Sequence, residues 1–340
     1  MSSAVQNSTN PAWIAQQTEQ LLRQSGHAWL LQGPSGLGQY RLALALAQAF
    51  LCESVTPQGA CGQCASCHAV DVRTHADLCV LMPETALLAL AWPLPEKAQT
   101  EIDEKKRKPS QEIRVEAMRD AIGFSQRTSA RGRGKVVLIF PAEKMNPVTS
   151  NALLKTLEEP PGDVRFLLAT ESAHQLLPTI RSRCLSHTMA WPSQAQALQW
   201  LEQCGVQSGD AITLLRAAGG RPEDAMDLLT LDGAAQKWAG FPAAIARGDT
   251  EFVRDWPVRR LIDGLQKLCH DLCACQVGAP SRFFESDCLR ALGRPRLAAL
   301  TGWSAQLARA RRTMEHPWNG GLMQEALVAC AQSTLNSAHK

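Results

Sequence analysis

The sequence predicts an α/β domain with a parallel sheet and a cysteine-rich insertion, followed by two helical regions. Short apolar runs of strand length alternate with helical patterns up to about residue 190, and such alternation is typical of parallel sheets. Four cysteines within 52–67 interrupt the alternation, and after residue 190 only helical patterns follow. We therefore expect an α/β domain over 1–190, a small helical domain over 191–234 and a larger helical domain over 235–340.

The predicted elements follow from apolar runs and their end signals. The first strand, AWLLQ (28–32), leads into a glycine-rich stretch. The other expected strands lie within 76–83, 135–140 and 163–170, and the helices within 40–51, 113–126 and 146–159. The last of these helices has strong end signals, because Asn146 is a good N-cap and Pro147 suits the first helical position.

Two polar stretches interrupt the elements. Residues 84–110 contain three prolines and the charged run EIDEKKRK, and we interpret them as a solvated surface insertion, with a basic contact patch as the alternative. Residues 126–135 (QRTSARGRGK) are interpreted as a solvated loop before a strand. Contact with a DNA backbone remains the alternative for this loop.

Composition narrows the class of protein. The chain has 340 residues and a formal net charge of +3, too small to indicate a dedicated nucleic-acid binder. Its start, MSSAVQNSTNP, lacks the basic and apolar regions of a signal peptide, and no apolar run approaches the ~18 residues of a membrane span. We therefore expect a reducing, cytoplasmic compartment, where clustered cysteines favour metal binding over disulfides.

The stretch GPSGLGQY (33–40) has the glycines of a phosphate-binding P-loop without its charged residues. Gly33, Gly36 and Gly38 stand where G-x-x-x-x-G-K-[ST] favours glycine. The lysine position holds the uncharged Gln39, and the Ser/Thr position holds Tyr40, whose hydroxyl sits on a long rigid ring. The glycines are therefore expected to shape a tight strand–helix turn, with a weakly bound phosphate as the alternative.

The acidic half of a nucleotide site is missing as well. In an active site the neighbouring strand ends in carboxylates, but KVVLI (135–139) is followed by Phe140 and Pro141. Three charged or metal-mediated contacts are absent, each worth roughly 1.5–3 kcal/mol. Together they amount to roughly 5–9 kcal/mol, or on the order of 10³-fold or more in affinity. We expect no ATP to be bound by this chain.

The cysteine cluster has the spacing of a metal site. C-x₂-C-x₂-C with a fourth cysteine upstream matches a structural zinc site, the expected ligands being Cys52, Cys61, Cys64 and Cys67. An iron–sulfur cluster is the competitor, although HAVD follows where a ferredoxin run continues x₃-C-P. Free thiols are the third possibility, and His68 is a possible substitute ligand.

A family resemblance appears in three stretches. NALLKTLEEPPGDVRFLLAT (151–170) and LLPTIRSRC (176–184) closely resemble the clamp-loader branch of the AAA+ ATPases, which carries a Ser-Arg-Cys motif. HAWLLQGPSGLGQYRLALALAQAFLC (27–52), with the cysteine insertion after it, is similar to clamp-loader subunits of bacterial DNA polymerase III. The motif is matched here by Ser182, Arg183 and Cys184.

The resemblance implies a role in another subunit's ATP hydrolysis. Clamp loaders are five-subunit rings in which ATP lies at subunit boundaries, and a neighbour's arginine finger completes each site. A chain with this P-loop would give a finger, Arg183, and hold no ATP itself. From residue chemistry alone, a local ion pair of Arg183 is the alternative, and Arg181 lies nearby. The implied partners are the gamma/tau ATPase subunits and the delta subunit, with the sliding clamp and primer–template DNA reached through the complex.

Other family positions are also implied. The sensor-1 polar residue falls near Thr170, and the sensor-2 arginine falls near Glu223, with Arg221 close by. The region 191–234 corresponds to a lid and the region 235–340 to a helical collar that joins the ring. One apolar helix face there is suited either to contacts with other subunits or to an internal core; it comprises Leu261, Leu265, Leu268 and Leu272.

Two other functions remain open from the sequence. The first is an active AAA+ ATPase that uses an atypical P-loop. The second is a zinc-dependent nucleic-acid module built from the cysteine cluster and the basic loop at 126–135.

Overall fold

Five parallel strands form the centre of the first part of the chain in the computed structural model. The strands are β1 (Ala28–Gln32), β2 (Leu78–Leu81), β3 (Lys135–Ile139), β4 (Val164–Thr170) and β5 (Leu185–Thr188). Their order across the sheet is β2-β3-β4-β1-β5, and every neighbouring pair is parallel. The predicted parallel α/β sheet is confirmed, and its central strands are apolar and almost fully buried.

The structure describes residues 10–229, 233–313 and 319–339. The predicted absence of a signal peptide rests mainly on residues 1–9, which lie outside this part. The chain divides into two compact units, Met1–Cys204 and Gly205–Lys340. The finer division into three domains stays a prediction. None of the described helices is both long and apolar enough to cross a bilayer.

The helices of the first unit lie before, between and after its strands in the sequence. They are α1 (Ala12–Leu22), α2 (Gln39–Leu51), α3 (Ala65–Asp71), α4 (Glu84–Ala89), α5 (Glu96–Asp103), α6 (Val115–Ser125), α7 (Pro147–Glu158), α8 (Pro178–Arg181) and α9 (Gln194–Gln203). Asn146 caps α7 as predicted, since its side chain accepts a hydrogen bond from the backbone N–H of Thr149. Two single 3₁₀ turns, Ala142–Lys144 and Ala173–Gln175, follow β3 and β4.

Residues 84–110 are exposed or half-buried along the charged run 101–108, as predicted for a solvated insertion, but not along their whole length. They contain α4 and α5, and Leu87, Leu90 and Trp92 are buried. Arg107 donates hydrogen bonds to the carboxylates of Glu84 and Glu101, which ties the end of the segment to its helices. The buried residues Leu87, Leu90 and Trp92, which precede the prolines of the segment, supply its packing face.

The second unit is helical throughout its described residues. Its helices are α10 (Ser208–Ala217), α11 (Pro222–Leu228), α12 (Ala234–Arg247), α13 (Val258–Gln276), α14 (Ser286–Arg290), α15 (Leu297–Thr313) and α16 (Gly320–Leu335), with 3₁₀ turns at Glu251–Val253 and Asn336–His339. Parallel-stacked aromatic rings, including Trp238, Phe241 and Phe284, form its centre. The leucine face of α13 lies in the same core, so the internal-core alternative is correct for it.

Candidate functional site

The glycine-rich turn joins β1 to α2 and requires its glycines for its own geometry. Gly36 and Gly38 have φ angles of +77° and +91°, a region that favours glycine. A Cβ atom on Gly33 would lie 2.9 Å from the side chain of Met189. The turn therefore needs these residues whether or not it binds a phosphate.

Gln39 is turned back onto the turn that precedes it. Its side chain is only 2% exposed, and its Nε2 donates to the carbonyl oxygens of Gly33 (2.8 Å) and Pro34 (2.6 Å). In an active P-loop the lysine at this position reaches toward the phosphates. Here the equivalent side chain satisfies carbonyl groups of its own turn, and its donors point to the protein.

Three aromatic side chains, Tyr40, Trp92 and Phe140, pack together beside the turn; we call them the aromatic cluster. The Nε1 of Trp92 donates to the hydroxyl oxygen of Tyr40 at 2.7 Å. The rings of Tyr40 and Phe140 lie 5.5 Å apart between centroids. Burial raises the pKa of the Tyr40 phenol, so the hydroxyl stays neutral. Tyr40, at the Ser/Thr position, thus packs against Phe140, which follows β3, and is hydrogen-bonded to Trp92 of the 84–110 segment.

Thr170, the expected sensor-1 residue, is fully buried at the end of β4. Its hydroxyl donates to Glu143 Oε2 at 2.7 Å, and Glu143 Oε1 accepts the N–H of Glu171 at 3.1 Å. Glu143 is not among the predicted site residues. The available signal was an acidic residue in the turn after a central strand. The Glu143 carboxylate accepts hydrogen bonds from two groups at the end of β4, and so it links the turn after β3 to the end of β4.

The Ser-Arg-Cys segment follows the short helix α8, with Ser182 as its C-cap. The Ser182 hydroxyl donates to the carbonyl oxygen of Thr179 at 3.1 Å. Cys184 packs against the core, and burial raises the pKa of its thiol to about 12. Ser182 therefore caps the end of α8, and Cys184 anchors the segment in the core. Arg183, between them, has a charged side chain that is partly exposed.

Arg183 pairs with a carboxylate of its own chain. Its Nε donates to Glu158 Oε1 at 2.7 Å, its Nη2 contacts the same oxygen, and its Nη1 donates to the carbonyl oxygen of Thr179 at 2.8 Å. The side chain is 30% exposed and that of Glu158 is 47% exposed. The local ion pair that residue chemistry left open is thus present in the single chain.

The expected sensor-2 positions belong to the second unit. Arg221 is the N-cap of α11, and its Nε donates to Asp224 Oδ2 at 2.5 Å on the same helix. Glu223 lies in the first turn of that helix, as does Asp224. The only basic residue of this turn is therefore paired with an acidic residue of its own helix.

The cysteine cluster comes together between α2 and α3. The ligand atoms of Cys52, Cys61, Cys64 and Cys67 all lie within 4.8 Å of one another, and His68 is exposed outside the set. Two of the sulfur pairs, Cys52–Cys64 and Cys61–Cys67, are 3.9 and 4.0 Å apart. Tetrahedral zinc with Zn–S bonds near 2.3 Å requires sulfur atoms about 3.8 Å apart. The cluster fits a metal ion such as zinc.

Backbone N–H groups prepare these sulfurs for a cation. The N–H of Cys61 donates to Cys52 Sγ and the N–H of Cys67 donates to Cys64 Sγ, both at 3.3 Å. Burial alone would raise the pKa of Cys64, but the N–H groups of Cys67 and Glu53, with the neighbouring thiols, outweigh it and lower the pKa to about 6. The thiolate form, which is the metal ligand, is favoured there.

The basic loop at 126–135 is solvent-exposed over most of residues 126–133, as predicted, and two of its arginines also bond to the rest of the first unit. The guanidinium of Arg133 donates to the carbonyl oxygens of Cys52 (2.7 Å) and Glu53 (2.9 Å). Arg131 pairs with the Glu53 carboxylate at 3.0 Å. Two of the four basic side chains thus link the loop to the cysteine module.

We expect Cys64→Ser to reduce the metal content of the purified chain from stoichiometric to trace, because one of four thiolate ligands is lost. Residues 52–70 should then exchange their amide hydrogens faster. Elemental analysis and hydrogen exchange on the same sample measure both effects. Cys275→Ser, which removes an exposed cysteine of the second unit, is the matched control. Full metal retention in Cys64→Ser would contradict the assignment.

Comparisons with known proteins relate the chain to subunits of DNA polymerase III. Curated relatives include the DNA polymerase III subunit delta' of Pseudomonas aeruginosa, 37% identical over 246 residues, which are 72% of this chain and 62% of that protein. The delta' subunit of Escherichia coli (strain K12) is 32% identical over 65% of this chain and 61% of its own length. The alignments thus span less than two thirds of these relatives.

The tau and gamma subunits of DNA polymerase III are similar as well. The DNA polymerase III subunit tau of Salmonella typhimurium is 34% identical over 208 residues, which are 59% of this chain and 28% of tau. A family model described as "DNA polymerase III, delta subunit" matches residues 11–192, more than half of the 340 residues. The chain therefore belongs to this DNA polymerase III delta subunit family, and the delta' subunits are among its relatives.

Proposed function

We propose that this chain is a non-hydrolysing subunit of the DNA polymerase III clamp loader. It binds no ATP, and it supplies Arg183 as an arginine finger to the ATP site of a neighbouring subunit. The ring so completed loads the sliding clamp onto primed DNA. In this proposal 1–190 is an AAA+-type domain, 191–234 a lid and 235–340 a collar that joins the ring.

The observation that carries this proposal is that the two side chains at the chain's own nucleotide position, Gln39 and Tyr40, are both bound to other parts of the protein. Gln39 bonds to carbonyl groups of the turn, and Tyr40 packs in the aromatic cluster against Phe140. A triphosphate would meet no lysine at Gln39 and no metal-binding hydroxyl or carboxylate at Tyr40, Phe140 or Pro141. The missing contacts are worth on the order of 5–9 kcal/mol, which favours an empty position at cellular ATP concentrations.

The position of Arg183 suits a donated cation. It follows a short surface helix, its side chain is 30% exposed, and the segment on either side is fixed by Ser182 and Cys184. A planar guanidinium can stabilise charge on a transferring γ-phosphoryl group. Because the chain's own triphosphate contacts are missing, the phosphate that Arg183 serves belongs to another subunit.

The cysteine module has a structural role in this proposal. Four thiolates around Zn²⁺ leave no open coordination position for a substrate or a water molecule. The ion would hold the segment between α2 and α3 in one shape. Arg133 then joins that shape to the loop before β3 through the carbonyl groups of Cys52 and Glu53.

The proposed partners follow from the family. The gamma/tau ATPase subunits and the delta subunit would surround the chain in the ring, and the sliding clamp and primer–template DNA would be reached through the complex. Tau is itself similar to this chain over 208 residues, so pseudo-symmetric packing of related subunits is expected. Replication places the complex in the cytoplasm.

The double variant Gln39→Lys with Tyr40→Thr separates this proposal from an ATPase with an atypical P-loop. It supplies both P-loop groups, but we expect no ATP hydrolysis, because Phe140 and Pro141 still offer no carboxylate and Trp92 remains in place. Phosphate release is measured for the chain alone and after assembly with hydrolysis-deficient ATPase subunits. Recovered hydrolysis by a variant that melts like the parent chain would show that the second half of the site is wrongly assigned.

A further inference from the structure

The carboxylate that binds Arg183 belongs to a rigid element. Glu158 is the last residue of α7, and the preceding turns of this helix bury Leu153 and Leu157 in the core. A carboxylate at a helix C-terminus has the same sign as the helix dipole there, so it is stabilised by a nearby cation. The guanidinium of Arg183 supplies that cation and closes the gap between α7 and the Ser-Arg-Cys segment.

The contact uses the part of the guanidinium that a phosphoryl group would need. Arginine binds oxyanions through two parallel N–H donors on one edge of its plane. On Arg183 the Nε and Nη2 edge is directed at Glu158 Oε1, while Nη1 donates to the carbonyl oxygen of Thr179. Glu158 and a neighbour's triphosphate would therefore compete for the same donors.

We propose that Glu158 is a positioning residue that holds Arg183 on its own chain until a neighbouring subunit's triphosphate displaces it. This inference rests on the proposed finger function. The ion pair between Arg183 and Glu158 is reversible because both side chains are partly exposed, and exposed ion pairs are weak and screened by salt. A triphosphate with its several charges competes successfully once the subunit boundary closes. Glu158 thereby lowers the turnover of a ring that has not yet engaged DNA.

The test is the ATP turnover of the reconstituted complex that contains the full chain with Glu158→Gln. The glutamine keeps the size of the side chain and removes its charge. We expect turnover without DNA to rise about two- to fivefold, the range that an exposed ion pair can impose. Turnover with primed DNA should stay within error of the parent complex. Glu159→Gln, at the adjacent exposed carboxylate, is the matched control and should change neither rate.

The double variant Glu158→Gln with Arg183→Ala shows whether the effect acts through the arginine. Without the guanidinium, removal of the Glu158 charge should have no further effect on either rate. An unchanged or lower DNA-free rate in Glu158→Gln, together with a clear loss in Arg183→Ala, would overturn this inference and leave the finger function standing. An unchanged rate in Arg183→Ala itself would overturn the finger function, and this inference with it.

Discussion

Replacing Arg183 by alanine should remove most ATP hydrolysis at the one neighbouring site that this chain completes, while the complex still assembles. An arginine finger supplied in trans contributes about 10³–10⁵-fold to the rate of phosphoryl transfer. The partly exposed side chain contributes little to folding, because exposed ion pairs such as Arg183–Glu158 are worth about 0–1 kcal/mol. Loss of function without loss of stability is therefore expected.

The measurement is single-turnover ATP hydrolysis by the reconstituted complex with primed DNA. The amplitude of its fast phase reports how many ATP sites hydrolyse. We expect the fast phase to lose the amplitude of one site. Arg181→Ala, which removes an exposed neighbouring cation, is the control and should retain that amplitude. Arg183→Lys should restore only part of the rate, because an ammonium keeps the charge without the planar pair of donors. Equal losses in Arg181→Ala and Arg183→Ala would indicate a nonspecific charge effect.

Asp77→Ala should strongly destabilise the first unit. Asp77 is fully buried before β2, and its carboxylate accepts hydrogen bonds from Ser129 Oγ, the backbone N–H groups of Ala130 and Arg131, and Lys135 Nζ at 2.8–3.1 Å. Its removal leaves the Lys135 ammonium buried without its counter-ion. Breaking a buried pair in this way costs about 3–5 kcal/mol.

Urea unfolding of the full chain measures this loss. The double variant Asp77→Ala with Lys135→Met should recover part of it, because the uncompensated charge is then also gone. Burial would raise the pKa of Asp77, but the N–H groups and Lys135 outweigh it and lower the pKa below its usual value. The contribution of Asp77 is therefore complete above its unfolded-state pKa and disappears as the pH falls through the folded-state pKa. A loss below about 1 kcal/mol would contradict the role of Asp77 as an anchor.

Local patterns in the sequence were sufficient for most of the sheet and for the cysteine cluster. Buried strands such as β3 are continuous apolar runs, and Asn146 caps α7 as its residue type predicts. The C-x₂-C-x₂-C spacing brought three cysteines together, and Cys52 joins them because α2 ends beside the cluster. In each case the determining residues are neighbours in sequence.

What the sequence did not predict depends on contacts between distant residues. The edge strand β5 was missed because Leu185–Thr188 is short, polar and largely exposed, and it is defined by its pairing with β1. Nothing local links Trp92 to Tyr40, which lies 52 positions away along the chain. The pairing of Arg183 with Glu158 likewise joins residues 25 positions apart. Such contacts are set by the packing of the sheet and its helices.

The central claim is that this chain donates a cation to another subunit's triphosphate while its own nucleotide position stays empty. Calorimetric titration of the purified full chain with Mg·ATP, on a sample whose metal content is known, tests it most directly. We predict no saturable binding below roughly millimolar ATP, because the charged contacts are missing. Micromolar binding that is abolished by Gly38→Val would contradict the account.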